Sequence, residues 1–266
     1  MNAIRMNEIR LNVNDFQLAN ISLSIPNQKI STIVGPNGSG KSTLLKVISK
    51  LLVADNGSVY IYERNSQSYK TREFAKKITM LPQAKDHLPN LTVKELISFG
   101  RSPYKRFFIN RLSKEDEEII YESMNITNTA IYENRMFSSL SGGEQQKVRI
   151  AMALAQQTNI LLLDEPTTYL DIAHQFEVME LLQFINESYK MTIIMVLHDL
   201  QQAATYSDYM IALKNGKIVD KGKPQEMLTE DFLANVYEIH ARIIYEDGYP
   251  LIIPKLRRKH HVYRYK

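Results

Sequence analysis

Apolar and polar positions alternate at the start of the chain: Ile9, Leu11 and Val13, then Leu18, Ile21, Leu23 and Ile25. Successive side chains of a strand point to opposite faces, so both runs predict strands of a half-buried sheet. The next run, KISTIVG, is apolar and β-branched and ends in glycine. It reads as a buried strand feeding a turn. From Ser42 onward, Leu44, Leu45, Val47, Ile48, Leu51 and Leu52 form the face of a buried helix. GSVYIY and KITMLPQ read as further strands, the second ending at Pro82. From Leu91 to Gln157 the period turns helical, with Ser113 and Asp116 as a capping signal. NILLLDEP and MTIIMVLHD are buried strands. Between them a helix from Phe176 to Tyr189 offers Phe176, Met179, Leu182 and Phe184 to the core. After Gln201 come a helix, two strands and a turn at Asn215-Gly216.

Strands alternating with helices predict an α/β fold with a mostly parallel sheet covered on both faces. The helical stretch between Pro82 and Ile160 reads as an insertion. At 266 residues the chain suits one large domain carrying such an insertion. It has no cysteine, which excludes disulfides and thiolate metal sites. It has no apolar stretch of the roughly 18 residues a membrane span needs, and no apolar secretory core at its N-terminus. A soluble, intracellular protein is the expectation. The net charge is +4, and the last eleven residues, LRRKHHVYRYK, hold five Lys or Arg and no acid. Such a tail is by default solvated, and it also suits anionic lipid or nucleic acid.

Three motifs carry chemistry. Gly35-Pro36-Asn37-Gly38-Ser39-Gly40-Lys41-Ser42, followed by Thr43, fits G-x-x-x-x-G-K-[ST] between a predicted strand and a predicted helix. Its glycines let backbone N–H groups converge on the phosphates of ATP, and the helix adds its positive dipole end. Lys41 is placed to bridge the β- and γ-phosphates, and the Ser42 hydroxyl to ligate Mg²⁺. Ile160 to Glu165 is an apolar strand ending in two acids. Ligands of a parallel sheet gather at the carboxyl ends of its strands. Asp164 there can hold Mg²⁺, and Glu165 can polarise the attacking water as general base. Leu140-Ser141-Gly142-Gly143-Glu144-Gln145 contains an S-x-x-E capping box, and the same exposed helix start can receive a phosphate.

The order of P-loop, LSGGE, ILLLDEP and Leu197-His198-Asp199 resembles that of the nucleotide-binding subunits of ATP-binding-cassette transporters, over nearly the whole chain from Ile9 to Pro254. The resemblance implies a P-loop NTPase with a RecA-like core, an N-terminal antiparallel β subdomain and an inserted α-helical subdomain. Residues 1–254 would form one ATPase domain, with core 1–86 and 158–254, helical subdomain 87–157, and a basic tail at 255–266. It also implies a homodimer in which the LSGGE loop of one subunit closes over the ATP of the other. Ser141 and Gly143 would then contact the γ-phosphate across the dimer, and Asp171 would link the two sites. By the same resemblance Gln83 touches Mg²⁺ and senses the membrane partner, and His198 contacts the γ-phosphate.

The chain departs from the family twice. An aromatic residue usually stacks on adenine ahead of the P-loop. Here Val13 falls nearest that place, and Phe16 is the only aromatic close by. Gln28 stands where the family tends to have glycine, which leaves the PNQK turn open to a different build.

The run Asp164 to Gln175, the segment FGRSPY and the ending from Ala241 to Pro254 are similar to those of importer ATPases for ferric siderophores, haem and cobalamin. They imply an ATPase at the cytoplasmic face of the cell membrane, beneath permease subunits that an extracytoplasmic binding protein supplies. Ferric siderophore is the expected cargo, with haem, cobalamin or another metal chelate as alternatives. A soluble non-transport cassette ATPase is a further alternative, disfavoured by the single cassette and the absence of cysteine. No nucleic-acid partner is implied. His174 reads as a helix-surface residue and not a metal ligand.

Overall fold

The alternating N-terminal positions build an antiparallel hairpin. β1 (Asn2–Val13) and β2 (Phe16–Pro26) pair down to Val13 opposite Phe16, and Asn14 takes the turn at φ 50. Asparagine adopts left-handed backbone at low cost. The chain then enters β3 (Ile30–Val34), passes through the glycine loop into α1 (Lys41–Ile48), and returns to the first sheet as β4 (Asn56–Ile61) and β5 (Arg64–Asn65). The order there is β2-β1-β4-β5. A computed structural model describes residues 1–83, 90–105 and 112–255. The basic run from Leu256 to Lys266 lies outside the described residues.

α2 (Thr71–Ala75) leads into β6 (Ile78–Leu81), and the helical insertion follows as α3 (Val93–Ser98), α4 (Lys114–Ile126) and α5 (Gly142–Ala155). The chain re-enters the core as β7 (Ile160–Asp164), α6 (Ile172–Tyr189), β8 (Thr192–Val196), α7 (Leu200–Tyr206), β9 (Tyr209–Lys214) and β10 (Lys217–Gly222). α8 (Pro224–Met227), α9 (Glu230–Tyr237) and the hairpin β11 (Ala241–Glu246) and β12 (Tyr249–Pro254) complete the described elements.

The main sheet runs β10-β9-β3-β8-β7-β6, parallel from β9 to β6 with β10 antiparallel at the edge. β3, β7 and β8 are buried at every position, as expected of parallel strands covered on both faces. Alternate side chains serve two cores. Ile160 and Leu162 pack with α1 and the antiparallel sheet, while Leu161 and Leu163 pack with α6, α7 and α9. A third core lies among the inserted helices, around Ile97, Ile120, Met124 and Val148. Capping boxes start all three inserted helices: Thr92 with Glu95, Ser113 with Asp116, and Ser141 with Glu144.

Three expectations are corrected. α1 ends at Ile48 and not at Leu52, because Lys50 turns left-handed at φ 62, and Leu51 is 64% exposed. α6 begins at Ile172 and buries Val178, Met179, Leu182 and Ile185. At 3.6 residues per turn, Phe176 and Phe184 fall about 130° and about 150° from the middle of that stripe, and they are 48% and 50% exposed. The turn at Gln28 keeps left-handed geometry without glycine, at φ 58, with the Gln28 N–H donating to Thr192 Oγ1 at 2.8 Å.

The FGRSPY segment welds the insertion to itself. Arg101 is 3% exposed; its Nε donates to Asp116 of α4 at 2.7 Å, and its Nη1 donates to the Ala155 carbonyl at 2.9 Å and to Gln157 Oε1 at 3.0 Å. Its guanidinium lies 3.9 Å from the centre of the Tyr104 ring. Among the described residues no helix is long and apolar enough to cross a membrane.

Candidate nucleotide site

The loop from Gly35 to Gly40 joins the carboxyl end of β3 to the start of α1. Side chains are excluded from it at two places. A Cβ on Gly35 would lie 2.0 Å from the Leu213 carbonyl oxygen, and one on Gly40, at φ 100, would lie 2.5 Å from Phe16 Cζ. The loop is thus seated on β9 on one side and on the Phe16 ring on the other. Lys41 Nζ donates to the carbonyls of Gly35 at 2.8 Å and Pro36 at 3.0 Å. Burial pushes its pKa down, and the negative charges of Glu165 and Asp164 oppose that shift.

Ser42 is the second residue of α1, and its Oγ donates to Asp164 Oδ1 at 2.8 Å at the end of β7. Burial pushes the Asp164 carboxyl up; the Ser42 hydrogen bond works against it, and the charge of Glu165 adds to it. Glu165, the next residue, turns out of the strand at φ 54. Three donors converge on its carboxylate. His198 Nε2 lies 2.5 Å from Oε1, while Gln83 Nε2 at 2.5 Å and Thr168 Oγ1 at 3.0 Å donate to Oε2. Gln83 arrives from beyond β6 and His198 from the link between β8 and α7. The sheet order thus brings the ends of β3, β6, β7 and β8 to one crevice. Sequence reasoning missed Thr168, whose only signal is its place three residues after Glu165.

A cavity of about 580 Å³ opens over this crevice, lined by Asn37, Gly38, Gly40, Lys41, Ser42 and Thr43 together with Glu165 and His198. The β1–β2 turn closes one side through Val13, Asn14, Asp15 and Phe16. Ser141, Gly143 and Asp171 do not line it. Ser141 instead caps α5, with its backbone N–H donating to Glu144 Oε2 at 2.7 Å. The Tyr132 hydroxyl, then the Ser141 backbone and side chain, hold the Glu144 pKa down at about 2. Asp171 caps α6 and accepts from the His174 backbone N–H at 2.9 Å and pairs with its Nδ1 at 2.8 Å. Around Asp171 the surface is apolar, with Tyr169 83% and Ile172 73% exposed.

A glycine loop between a central parallel strand and a helix, facing two acids at the end of β7 two strands away in the sheet, defines a P-loop nucleoside triphosphatase. The ABC transporter family model matches residues 18–168. The petrobactin import ATP-binding protein FpuC of Bacillus anthracis is 48% identical over 90% of this chain and 88% of its own length. The iron(3+)-hydroxamate import ATP-binding protein FhuC of Bacillus subtilis is 44% identical over 92% of this chain and 91% of its own. Among solved structures, the dimeric bacterial ABC transporter cassette MJ0796 superposes with a TM-score of 0.71 at 30% identity, covering 83% of this chain and 98% of that one. The same cassette has also been solved as a dimer bound to ADP and phosphate after hydrolysis. The chain belongs to the ABC transporter family and is an ATP-binding ATPase subunit of it.

Proposed function

We propose that this ATPase energises uptake of iron(III)-siderophore complexes, as a homodimer on the cytoplasmic face of the membrane beneath permease subunits. An extracytoplasmic binding protein delivers the cargo to that permease. Residues 1–254 form its single ATPase domain, with core 1–86 and 158–254 and helical subdomain 87–157. The cargo assignment is supported by the identity with petrobactin and iron-hydroxamate import proteins along nearly their whole length. The observation that carries the dimer is the division of the site: Ser141, Gly143 and Asp171 stay clear of the cavity that holds Lys41, Glu165 and His198. A second copy supplies them, and the exposed Tyr169 and Ile172 suit burial against it.

In this reading residues 35–43 cradle the triphosphate, with Lys41 on the β- and γ-phosphates. Glu165 accepts the proton of the attacking water, and His198 orients the carboxylate and meets the γ-phosphate. The donor set at the end of β7 fits Mg²⁺, because the Ser42 hydroxyl and Asp164 carboxylate already meet at 2.8 Å and are hard oxygen ligands. Ser42, Asp164 and Gln83 would hold the ion, which when bound neutralises charge on the phosphate oxygens.

The test is growth on iron supplied only as a siderophore complex. A strain lacking this chain grows poorly there, the intact gene rescues it, and Lys41→Ala does not. Uptake of labelled ferric siderophore falls in parallel. Normal siderophore uptake with loss of haem or cobalamin uptake would overturn the cargo; no change in any import would overturn the transport role.

A further inference from the structure

The run Asp171 to Gln175 does physical work beyond its family likeness. Gly143 is buried, and a Cβ built on it would lie 2.0 Å from His174 Cδ2, 2.4 Å from Cγ and 2.8 Å from Nε2. The imidazole therefore occupies the space where any side chain at position 143 would stand. The ring cannot swing away freely. Its Nδ1 pairs with Asp171 Oδ1 at 2.8 Å, and the same oxygen accepts from the His174 backbone N–H at 2.9 Å. A hydrogen on Nδ1 satisfies the carboxylate and leaves Nε2 on the Gly143 side.

The neighbouring side chain extends the frame. Gln175 Nε2 donates to the Leu170 carbonyl at 2.9 Å, and its Oε1 accepts from Gln202 Nε2 at 2.7 Å. Gln202 lies in the first turn of α7, four residues after His198. Leu170 in turn stands 3.6 Å from where a Cβ of Gly142 would be. Two consecutive glycines at the start of α5 are thus braced from one short segment, by His174 at Gly143 and by Leu170 at Gly142.

We infer that His174 is a positioning residue for the Ser141–Gly143 loop, setting where that loop meets the nucleotide held by the partner subunit. This rests on the homodimer reading above. His174 touches no part of the cavity around Lys41, so its effect falls on closure of the dimer and not on nucleotide capture by one subunit. An aliphatic residue could fill the space but could not be pinned by Asp171. Glutamine offers a flat amide with a polar end and preserves both features.

The experiment uses the full chain carrying Glu165→Gln, so that closed dimers accumulate. Two quantities are measured: the protein concentration giving half-maximal dimer with MgATP, by sedimentation, and the affinity of the monomer for a fluorescent ATP analogue. His174→Ala raises the first about tenfold and leaves the second within about twofold, while His174→Gln stays within about threefold of its parent on the first. Dimerisation of His174→Ala equal to its parent overturns the inference. So does a glutamine variant as impaired as alanine, or a loss of nucleotide affinity in step with dimerisation. If the Glu165→Gln parent itself forms no dimer with ATP, the homodimer reading fails instead.

Discussion

Gln83 Nε2 donates to Glu165 Oε2 at 2.5 Å, joining residues 82 positions apart in the chain. One carboxylate oxygen of the proposed general base is thus held by the end of β6, and the other by His198. A base gripped on both oxygens has its orientation set from the ends of two strands that flank its own in the sheet.

Removing one grip should slow chemistry more than binding. Gln83→Ala is expected to lower kcat about 10- to 100-fold, the usual cost of losing a partner that orients a reacting group. Glu165→Gln should lower it by more than about 100-fold, since the base itself is lost. Both should bind ATP with near-parental affinity. Steady-state hydrolysis and ATP titration check the pair, and normal turnover of Glu165→Gln would remove that residue from the base role.

Base selectivity should be weak. The side of the cavity formed by the β1–β2 turn offers Val13, which lacks an aromatic face, and the edge of Phe16 is already spent against Gly40. ATP should be preferred over GTP by less than about tenfold, or about 1.4 kcal/mol, in competition binding. Val13→Tyr should tighten ATP binding, because base–aromatic stacking contributes about 1–3 kcal/mol.

Gly40→Ala should damage the loop by two routes. Its φ of 100 strains any side chain, and the new Cβ would stand 2.5 Å from Phe16 Cζ. A cost of about 1–3 kcal/mol follows from such backbone strain. Thermal unfolding and ATP titration should both worsen. Adding Phe16→Ala should relieve the closest contact and leave Leu18 Cδ2 at 2.9 Å and the backbone strain, so rescue is partial.

Acid sensitivity should carry a signature of Glu144. Its folded pKa is held at about 2, below the ordinary 4.5, chiefly by the Tyr132 hydroxyl. A depressed carboxylate contributes stability that is complete above its unfolded pKa and is lost as pH falls through its folded pKa. The contribution is therefore present above pH 4.5 and disappears toward pH 2. Glu144→Gln should flatten this part of the stability profile, measured by denaturant unfolding at pH 3 and pH 6. An unchanged slope would count against the Tyr132 contact.

Much of this was legible in the chain because its signals were local. The runs ISTIV, ILLLD and TIIMV are apolar enough to be nothing but buried strands, and the glycine loop and the two acids sit at their ends. The rest was not local in this way. A helix counted from Phe176 misses its first turn, because α6 starts four residues earlier at Ile172, capped by Asp171. His174 does lie on the surface of α6, one-third exposed, and its contact with Gly143, on another helix 31 positions earlier, has no local signal. The grip of Gln83 on Glu165 is likewise a tertiary fact, whereas Thr168 is a local contact whose spacing alone is too common to announce it.

α5 carries a longer consequence. Its carboxyl end is clamped where Arg101 Nη1 donates to the Ala155 carbonyl, and its opposite end is Gly142. At 1.5 Å per residue the helix is a rod about 20 Å long. A tilt of about 5° at the clamp moves the far tip by nearly 2 Å, more than half a hydrogen-bond length. Because Arg101 also holds Asp116, α4 is tied to the same point. The buried guanidinium at one end and the His174 ring at the other are thus two ends of one lever, so a shift of either by a fraction of an ångström would set the angle of the whole rod.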